Sequence, residues 1–418
     1  MSLISITLSG YRNIKETTIN FDKDVSALIS TNNYGKSNFL FGALFALHFL
    51  KIDTINRANL MRANLNTPFA NANFEEDFSA TIQFKSNAYL LKYSYSFKWL
   101  TEENQKPIIK EKLTIKKEDS QKYTTVLTRS GNDGCYTQSE TGRCNNKTIV
   151  EDSELLIVKL ANIGSVYYAQ SLKDLLSING CIDAEYSNDA STPFIQFDSF
   201  TFIRDLSNAV AILKRKDKNS FEILRNSILE LFPEVEIFDA DFSNPKVSDN
   251  QIKLSNKIPN NYASTTLLPY CYIKFRYSDY LFSINQMSDG FRRILAFLIH
   301  ILQVTSRNYN FIALEQPEDM IHPGLLRNFI EIIKAIRKDT AILLVSHSPF
   351  IVSYLNPQNL YIGIPNDDGL ANFKCFSSSS LKKLDKKALE NDKMIGELVF
   401  DLLSGDAEDK EYLKDLLK

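Results

Sequence analysis

The chain has 418 residues, 44% hydrophobic and 23% charged, with a formal net charge of −2. Such a balance supports one large or two to three modest packed domains and excludes wholesale disorder. It also excludes a strongly basic nucleic-acid coat protein, though not a local basic groove. Along the chain, Leu3 to Leu8 alternates apolar and polar residues, the period of a half-buried strand, and Thr17 to Phe21 reads as its hairpin partner. Val25 to Ile29 is a short apolar run of buried-strand type. A turn-like segment, Ser30 to Asn38, follows it. Phe39 to Leu50 is then apolar on every side, which predicts a helix buried all round. Residues 52–75 read as loop with some helix. Between 78 and 128, Ser79 to Phe84, Tyr89 to Trp99 and Ile108 to Ile115 alternate and are enriched in Tyr, Phe and Thr, predicting an antiparallel β-rich lobe.

Residues 129–150 read as an exposed loop. Helical spacing returns over 151–235, and 236–262 is polar and turn-rich. Strands are expected at Tyr270 to Tyr277 and Asp279 to Ile284, and a helix at Phe291 to Thr305. Asn310 to Leu314 and Ala341 to Val345 are buried-strand runs separated by a helical stretch over about 323–337; this alternation predicts a parallel sheet. The tail, 380–418, is Lys- and Glu-rich with helical spacing. The longest apolar run, Phe39 to Leu50, is shorter than the roughly 18 residues of a membrane span. The N-terminus shows no leader pattern, so a cytoplasmic protein without membrane attachment is expected. Of five cysteines, Cys135 and Cys144 flank a polar loop and could pair or share a metal; reduced structural thiols are the simpler reading.

Ser30 to Ser37 nearly fits G-x-x-x-x-G-K-[ST], after a strand and before a helix. Such a loop turns backbone N–H groups inward, and the helix N-terminus adds positive potential for phosphate oxygens. Lys36 is placed to meet the β- and γ-phosphates, the Ser37 hydroxyl to ligate Mg²⁺, and Gly35 to let the backbone approach the anion. Ser30 replaces the first Gly; if that position needs unusual torsions, the cost is about 1 kcal/mol. Further on, Ser288 is a good N-cap before a helix and Gly290 permits close approach of an anion. Glu315 ends a buried strand and is a natural Mg²⁺ partner, and His347 stands just past another strand, where it can reach a γ-phosphate.

The ordered set resembles the ABC-type ATPase heads of the SMC, RecF and OLD group. The matching segments are Gly10-Tyr-Arg-Asn13, Asn32-Asn-Tyr-Gly-Lys-Ser-Asn38 as Walker A and Met287-Ser-Asp-Gly290 as signature. Leu314-Glu-Gln-Pro-Glu318 matches Walker B with Ile321-His-Pro323 after it, and Ser346-His-Ser-Pro349 matches the switch. The resemblance covers roughly 1–50 and 270–365. It implies an α/β P-loop NTPase fold, an ABC-type head with a mixed sheet, a β-rich lobe and an inserted helical region. The implied segments are a discontinuous head (1–75 and 265–380), a β-rich lobe (76–150), a mainly helical insertion (151–264) and a helical tail (381–418). The implied cofactors are ATP and Mg²⁺. ATP contacts are expected from Arg12, Asn13, Asn32, Asn33, Tyr34, Gly35, Lys36, Ser37 and Asn38, metal contacts from Ser37 and Glu315, and a γ-phosphate contact from His347. Ser288, Asp289 and Gly290 of a second copy would cap the nucleotide, so an ATP-dependent head-to-head dimer or higher oligomer is implied. Gln170 and Gln196 are the candidates for the Q-loop.

One departure carries the mechanism. The family usually has a second acid at Gln316, which can hydrogen-bond a water but cannot take its proton. Slow hydrolysis and a long-lived ATP state are therefore expected. Glu318 could substitute, but family position argues against it. No nuclease cluster is visible after His347; Asp406, Glu408 and Asp409 read as a solvated face. The expected role is control of a separate effector nuclease or toxin in prokaryotic anti-phage or abortive-infection defence. The alternatives are a DNA-repair or chromosome-associated clamp, suggested by basic clusters at Lys110 to Lys117, Lys214 to Lys218 and Lys382 to Lys387, and a non-hydrolysing nucleotide sensor. The aromatic alternation over Tyr93 to Trp99 reads as lobe core rather than a base-stacking platform.

Overall fold

A computed structural model of the chain describes residues 1–21, 25–62, 67–68, 76–87, 89–101, 105–140, 143–184, 196–198, 206–243, 268–306, 309–319, 321–366 and 368–417. The first elements are β1 (Ser2–Ser9), β2 (Thr17–Asn20), β3 (Ser26–Ser30), α1 (Lys36–Phe49), α2 (Thr54–Leu60), β4 (Phe78–Ser86), β5 (Tyr89–Phe97) and β6 (Ile109–Lys117). Next come β7 (Thr124–Ser130), β8 (Asp133–Tyr136), β9 (Asn146–Ile149), α3 (Leu156–Ile163), α4 (Ala169–Ser177), β10 (Gly180–Ala184) and β11 (Gln196–Asp198). They are followed by α5 (Leu206–Lys216), α6 (Lys218–Leu231), β12 (Val235–Ser243), β13 (Leu268–Phe275), β14 (Leu281–Ser283) and α7 (Asp289–Ser306). The last are β15 (Phe311–Glu315), α8 (Pro323–Ile336), β16 (Ala341–Ser346), α9 (Pro349–Tyr354), β17 (Leu360–Gly363), β18 (Phe373–Cys375), α10 (Ser378–Glu390), α11 (Ile395–Ser404) and α12 (Ala407–Leu416).

Two compact units form. One comprises Met1–Phe197, Arg307–Glu318 and Arg337–Lys418; the other comprises Asp198–Ser306 and Asp319–Ile336. These cut across the four expected segments. The β-rich stretch is continuous with the N-terminal hairpin, because β1 pairs with β4 as well as with β2. The first half of the expected insertion, and the tail, belong to the first unit.

The first unit holds two sheets. An antiparallel one runs β2-β1-β4-β5-β6-β7-β8-β9, and a second runs β11-β10-β15-β16-β3-β17-β18. In the second, β10, β15, β16, β3 and β17 pair in parallel and β18 joins antiparallel. Helix α1 touches both sheets, which explains its apolar circumference. On one side the Tyr95 hydroxyl donates to the Ala46 carbonyl at 2.9 Å, and Phe49 stacks on Phe97 with centroids 4.9 Å apart. On the other, a Cβ at Gly180 of β10 would lie 2.8 Å from Leu44 Cδ2, so glycine is what lets strand and helix meet. Tyr93, Tyr95 and Phe97 are buried in this core.

Several expectations need correction. The stretch expected as an exposed loop, 129–150, contributes β8 and β9 to the antiparallel sheet. Their sequences are polar because backbone pairing at a sheet edge needs little apolar alternation. Helical spacing over 151–235 hid β10, a parallel strand, and the turn-rich stretch after 235 hides β12. Residues 244–262 lie outside the described ones. Strands β17 and β18 were not expected. The second unit packs α5 and α6 on the antiparallel β12-β13-β14 sheet, with α7 against α6 and α8.

Candidate functional site

The loop between β3 and α1 is assembled by residues far apart in sequence. Asn33 (φ 59°) and Gly35 (φ 127°) adopt left-handed torsions. A Cβ on Gly35 would lie 2.7 Å from Asn13 Oδ1 and 2.8 Å from Ala371 Cβ, so only glycine fits. Ser30 lies in β3 outside the left-handed region, so the strain considered for its replacement of glycine does not arise. Its hydroxyl instead accepts from Lys36 Nζ at 3.4 Å. Lys36 is buried and donates to the carbonyls of Ser30 (3.0 Å) and Thr31 (2.9 Å).

Asn13 braces the loop from behind. Its Nδ2 donates to the Tyr34 carbonyl (2.9 Å) and the Gly369 carbonyl (3.2 Å), and its Oδ1 accepts from Asn38 Nδ2 (2.8 Å). Arg12 Nη1 donates to Asn38 Oδ1 at 3.0 Å, and its guanidinium lies over the rings of Tyr11 and Phe41. Asn32 and Asn33 are exposed at the tip. Tyr34 enters the loop with a buried side chain. Its ring is buried against Phe373 (5.4 Å), where a Cβ at Gly363 would collide with it, and its hydroxyl accepts from Asn372 N at 3.1 Å. Tyr34 therefore anchors the loop to β17 and β18, and its backbone alone belongs to the loop surface.

The ends of β15 and β16 complete the cluster. Ser37 Oγ donates to Glu315 Oε1 at 2.5 Å, bringing together two hard oxygen donors of the kind a divalent cation selects. Gln316 sits in the left-handed region (φ 47°), at a cost of about 1–2 kcal/mol, while its N–H continues the ladder to the Val345 carbonyl at 2.8 Å. Glu318, set aside on sequence grounds, lies in the site. Its Oε1 accepts from Ser346 Oγ (2.7 Å) and His347 N (2.9 Å), tying the end of β15 to the turn that carries His347. The spacing of Glu318 gave no hint of this, since the contact depends on β15 and β16 being neighbours.

Burial pushes the Lys36 ammonium down to about 8, a shift that Glu315 and Glu318 partly oppose. Between pH 8 and 10.5 the unfolded chain binds the proton that the folded chain releases, so stability rises with pH across that window. A phosphate at the loop favours the charged form. Nucleotide binding is therefore expected to take up a proton near pH 8 and to weaken as pH rises beyond it. Calorimetry in buffers of different ionisation enthalpy measures this uptake; a pH-independent affinity that disappears in Lys36→Ala would contradict it.

The remaining candidates stand on other elements. Ser288 and Asp289 are exposed at the start of α7 in the second unit. Ser288 Oγ accepts from Phe291 N at 3.3 Å, and Asp289 pairs with Arg292. Gln170 is engaged with Asp174 on α4, and the side chain of Gln196 lies outside the described residues. Asp406 caps α12 by accepting from Glu408 N and Asp409 N. Cys135 and Cys144 are free thiols, with Cys135 Sγ 2.8 Å from the Cys144 carbonyl. Among the described residues no group of three or more His, Cys, Asp or Glu is arranged to hold a metal, and no helix is long and apolar enough to cross a membrane.

A family model described as an AAA ATPase domain matches residues 1–352. No curated protein matches the chain. Similar solved structures include an SMC head domain from Thermotoga maritima, at 12% identity and TM-score 0.46, covering 90% of this chain and 100% of that one. An SmcHead bound to the C-winged helix domain of ScpA is 13% identical with TM-score 0.45, covering 92% of this chain and 100% of that one. An Smc head domain with an extended coiled coil, bound to the C-terminal domain of ScpA derived from Pyrococcus furiosus, is 11% identical with TM-score 0.42, covering 92% and 99%.

Proposed function

Because the chain belongs to the AAA ATPase domain family, with a P-loop NTPase fold, we propose that it binds Mg-ATP at the 30–38 loop, hydrolyses it slowly, and uses the bound state to hold two copies together. The observation that carries this reading is the Ser37–Glu315 contact with Gln316, not an acid, as the next residue. Bound Mg-ATP would supply the phosphoryl group and the charge compensation for its transfer. Lys36 would exchange its loop carbonyls for phosphate oxygens, which are better partners for a buried ammonium. Ser37 and Glu315 would supply oxygen ligands to the Mg²⁺. Gln316 orients a water without deprotonating it. Glu318 keeps His347 in place through the backbone.

A second copy would contribute Ser288, Asp289 and Gly290 of its exposed α7 N-terminus, whose dipole favours an anion. Closure then amounts to a population shift, since only the closed pair makes both sets of contacts. The further reading, control of a separately encoded effector in prokaryotic defence, extends the resemblance of the ordered motifs. A non-hydrolysing sensor differs in turnover alone.

The test combines light scattering with single-turnover phosphate release on the purified chain. Wild type is expected to gain mass with Mg-ATP and release little phosphate, and Lys36→Ala to do neither. Brisk release by wild type, with no change of mass, would replace this reading by that of a cycling enzyme.

A further inference from the structure

The end of the antiparallel sheet brings together two of the five cysteines. Cys135 lies in β8, paired with Thr128 on one side and Lys147 on the other. Residues directly opposite across an antiparallel ladder project from the same face, so Thr128, Cys135 and Lys147 form one row. Cys144 stands just before β9. Asn145 N donates to the Arg143 carbonyl at 2.9 Å and Asn146 Nδ2 to the Tyr136 carbonyl at 3.2 Å, a turn that folds Cys144 back onto the row. The Cys135 thiol donates to the Cys144 carbonyl at 2.8 Å, and Cys144 Sγ lies 4.0 Å from Thr128 Oγ1. Both thiols are half-buried, and they interact with each other. The other cysteines differ: Cys181 and Cys271 are buried, and Cys375 lies on β18 in the other sheet. Thr128, Ser130, Asp133, Cys135, Lys147 and Ile149 are among the residues around an open cleft of about 770 Å³, within the size range of small-ligand sites.

We propose that Cys135 and Cys144 are a reversible dithiol–disulfide site, oxidised by a small disulfide of the glutathione type that enters this cleft. Cys135 lines the cleft and is the thiol the oxidant meets first. Its thiolate attacks one sulfur of the oxidant. The oxidant's S–S bond breaks, a mixed disulfide forms on Cys135, and one thiolate leaves. Cys144 then gives up its proton and attacks the Cys135 sulfur, which closes the internal bond and releases the second thiol. The two cysteines together lose two electrons and two protons, and the oxidant is reduced to two thiols. Their environments divide the roles. Burial, and the hydrogen bond with Cys135, push the Cys144 thiol up to about 11, which keeps it protonated until an attackable sulfur stands beside it. Lys147, exposed and opposite Cys135, offers an ammonium to the oxidant's carboxylates. A metal is the poorer occupant, because zinc takes four ligands and, among the described residues, no third His, Cys, Asp or Glu joins the pair. Both sulfurs are half-exposed, so a reductant reaches the bond as readily as the oxidant does, which makes it the labile kind of disulfide.

The experiment treats the reduced full chain with glutathione disulfide and follows its intact mass and, after proteolysis, the linked peptides. Wild type is expected to become lighter by two hydrogens, to carry the link between Cys135 and Cys144 within one chain, and to regain its starting mass in reduced glutathione. Cys144→Ser should stop at the mixed disulfide, with one glutathione retained on Cys135. Cys135→Ser should react at least about tenfold more slowly, since Cys144 alone is the poorer nucleophile. Labelling of wild type with iodoacetamide keeps the test decisive if either variant does not fold: Cys135 should be alkylated ahead of Cys144. Glutathione that stays on wild-type Cys135, faster reaction at Cys375, or links between chains would overturn the proposal. So would alkylation of Cys144 first, or zinc held by reduced wild type and lost in Cys135→Ser. Lys36→Ala should oxidise as wild type does, so this test and that of the nucleotide reading fail separately.

Discussion

Replacing Gln316 by Glu is expected to raise the single-turnover rate of phosphate release by about 10²-fold or more. General-base assistance contributes about 10²–10⁴-fold where a carboxylate can take the proton of the attacking water. Gln316 holds the position with its backbone at φ 47° and its N–H on Val345 O, geometry that Glu can keep. The substitution therefore changes the proton-accepting group and little else. The same variant should lose mass after a single turnover, while wild type stays assembled. An unchanged rate would move the proton acceptor away from 316. Glu318 would then be the next group to examine, and Glu318→Gln would have to abolish release.

Removing the Glu111 carboxylate is expected to destabilise the first unit by about 3–5 kcal/mol, read as a lower urea midpoint in Glu111→Ala. Glu111 and Arg129 side chains are fully buried and paired at 3.0 Å. Glu111 Oε1 also accepts from Leu156 N (2.8 Å), and its Oε2 from the Tyr93 hydroxyl (2.9 Å), so one carboxylate caps α3 and satisfies a core tyrosine. Arg129 in turn donates to the carbonyls of Gly131, Glu151, Asp152 and Glu154. Arg57 holds the adjoining Ser153 carbonyl together with those of Phe49 and Ile52. Deleting Glu111 strands a buried guanidinium and the first turn of a helix together. Glu111→Gln keeps the hydrogen-bonding shape and should cost less. Equal midpoints for Glu111→Ala and wild type would mean that water replaces the carboxylate.

The 30–38 loop was legible as a strand-to-helix turn because the residue types that mark it fall within a few positions. Backbone curvature at Gly35, the ammonium of Lys36 and the hydroxyl of Ser37 cannot be spread along a chain. Glu315, Gln316 and His347 were legible for a related reason, since each stands at the end of an apolar run that must be a buried strand. The aromatic alternation of β5 was read as core, and its rings do pack there.

Other parts were not legible. The polar strands β8 and β9 have no apolar period, because they are held by backbone pairing at the sheet end. Tyr34 was read only as one residue of the nucleotide loop, and nothing local says that Gly363 leaves room for its ring. Glu318 lies near Gln316 in sequence, yet its partners are Ser346 and His347.

By itself, then, the sequence determined the turn between a strand and a helix at 30–38, the strand-end acid and its neighbouring glutamine, and a helix buried all round. Short-range spacing and apolar period encode these directly. The tertiary structure alone decided the strand order that puts β3 between β16 and β17, the bracing of the loop by Asn13 and Ala371, and the pairing of β1 with β4 as well as β2. Those depend on which backbones hydrogen-bond across the sheets. Backbone N–H and C=O groups are nearly the same in every residue, so side-chain sequence carries little record of their pairing.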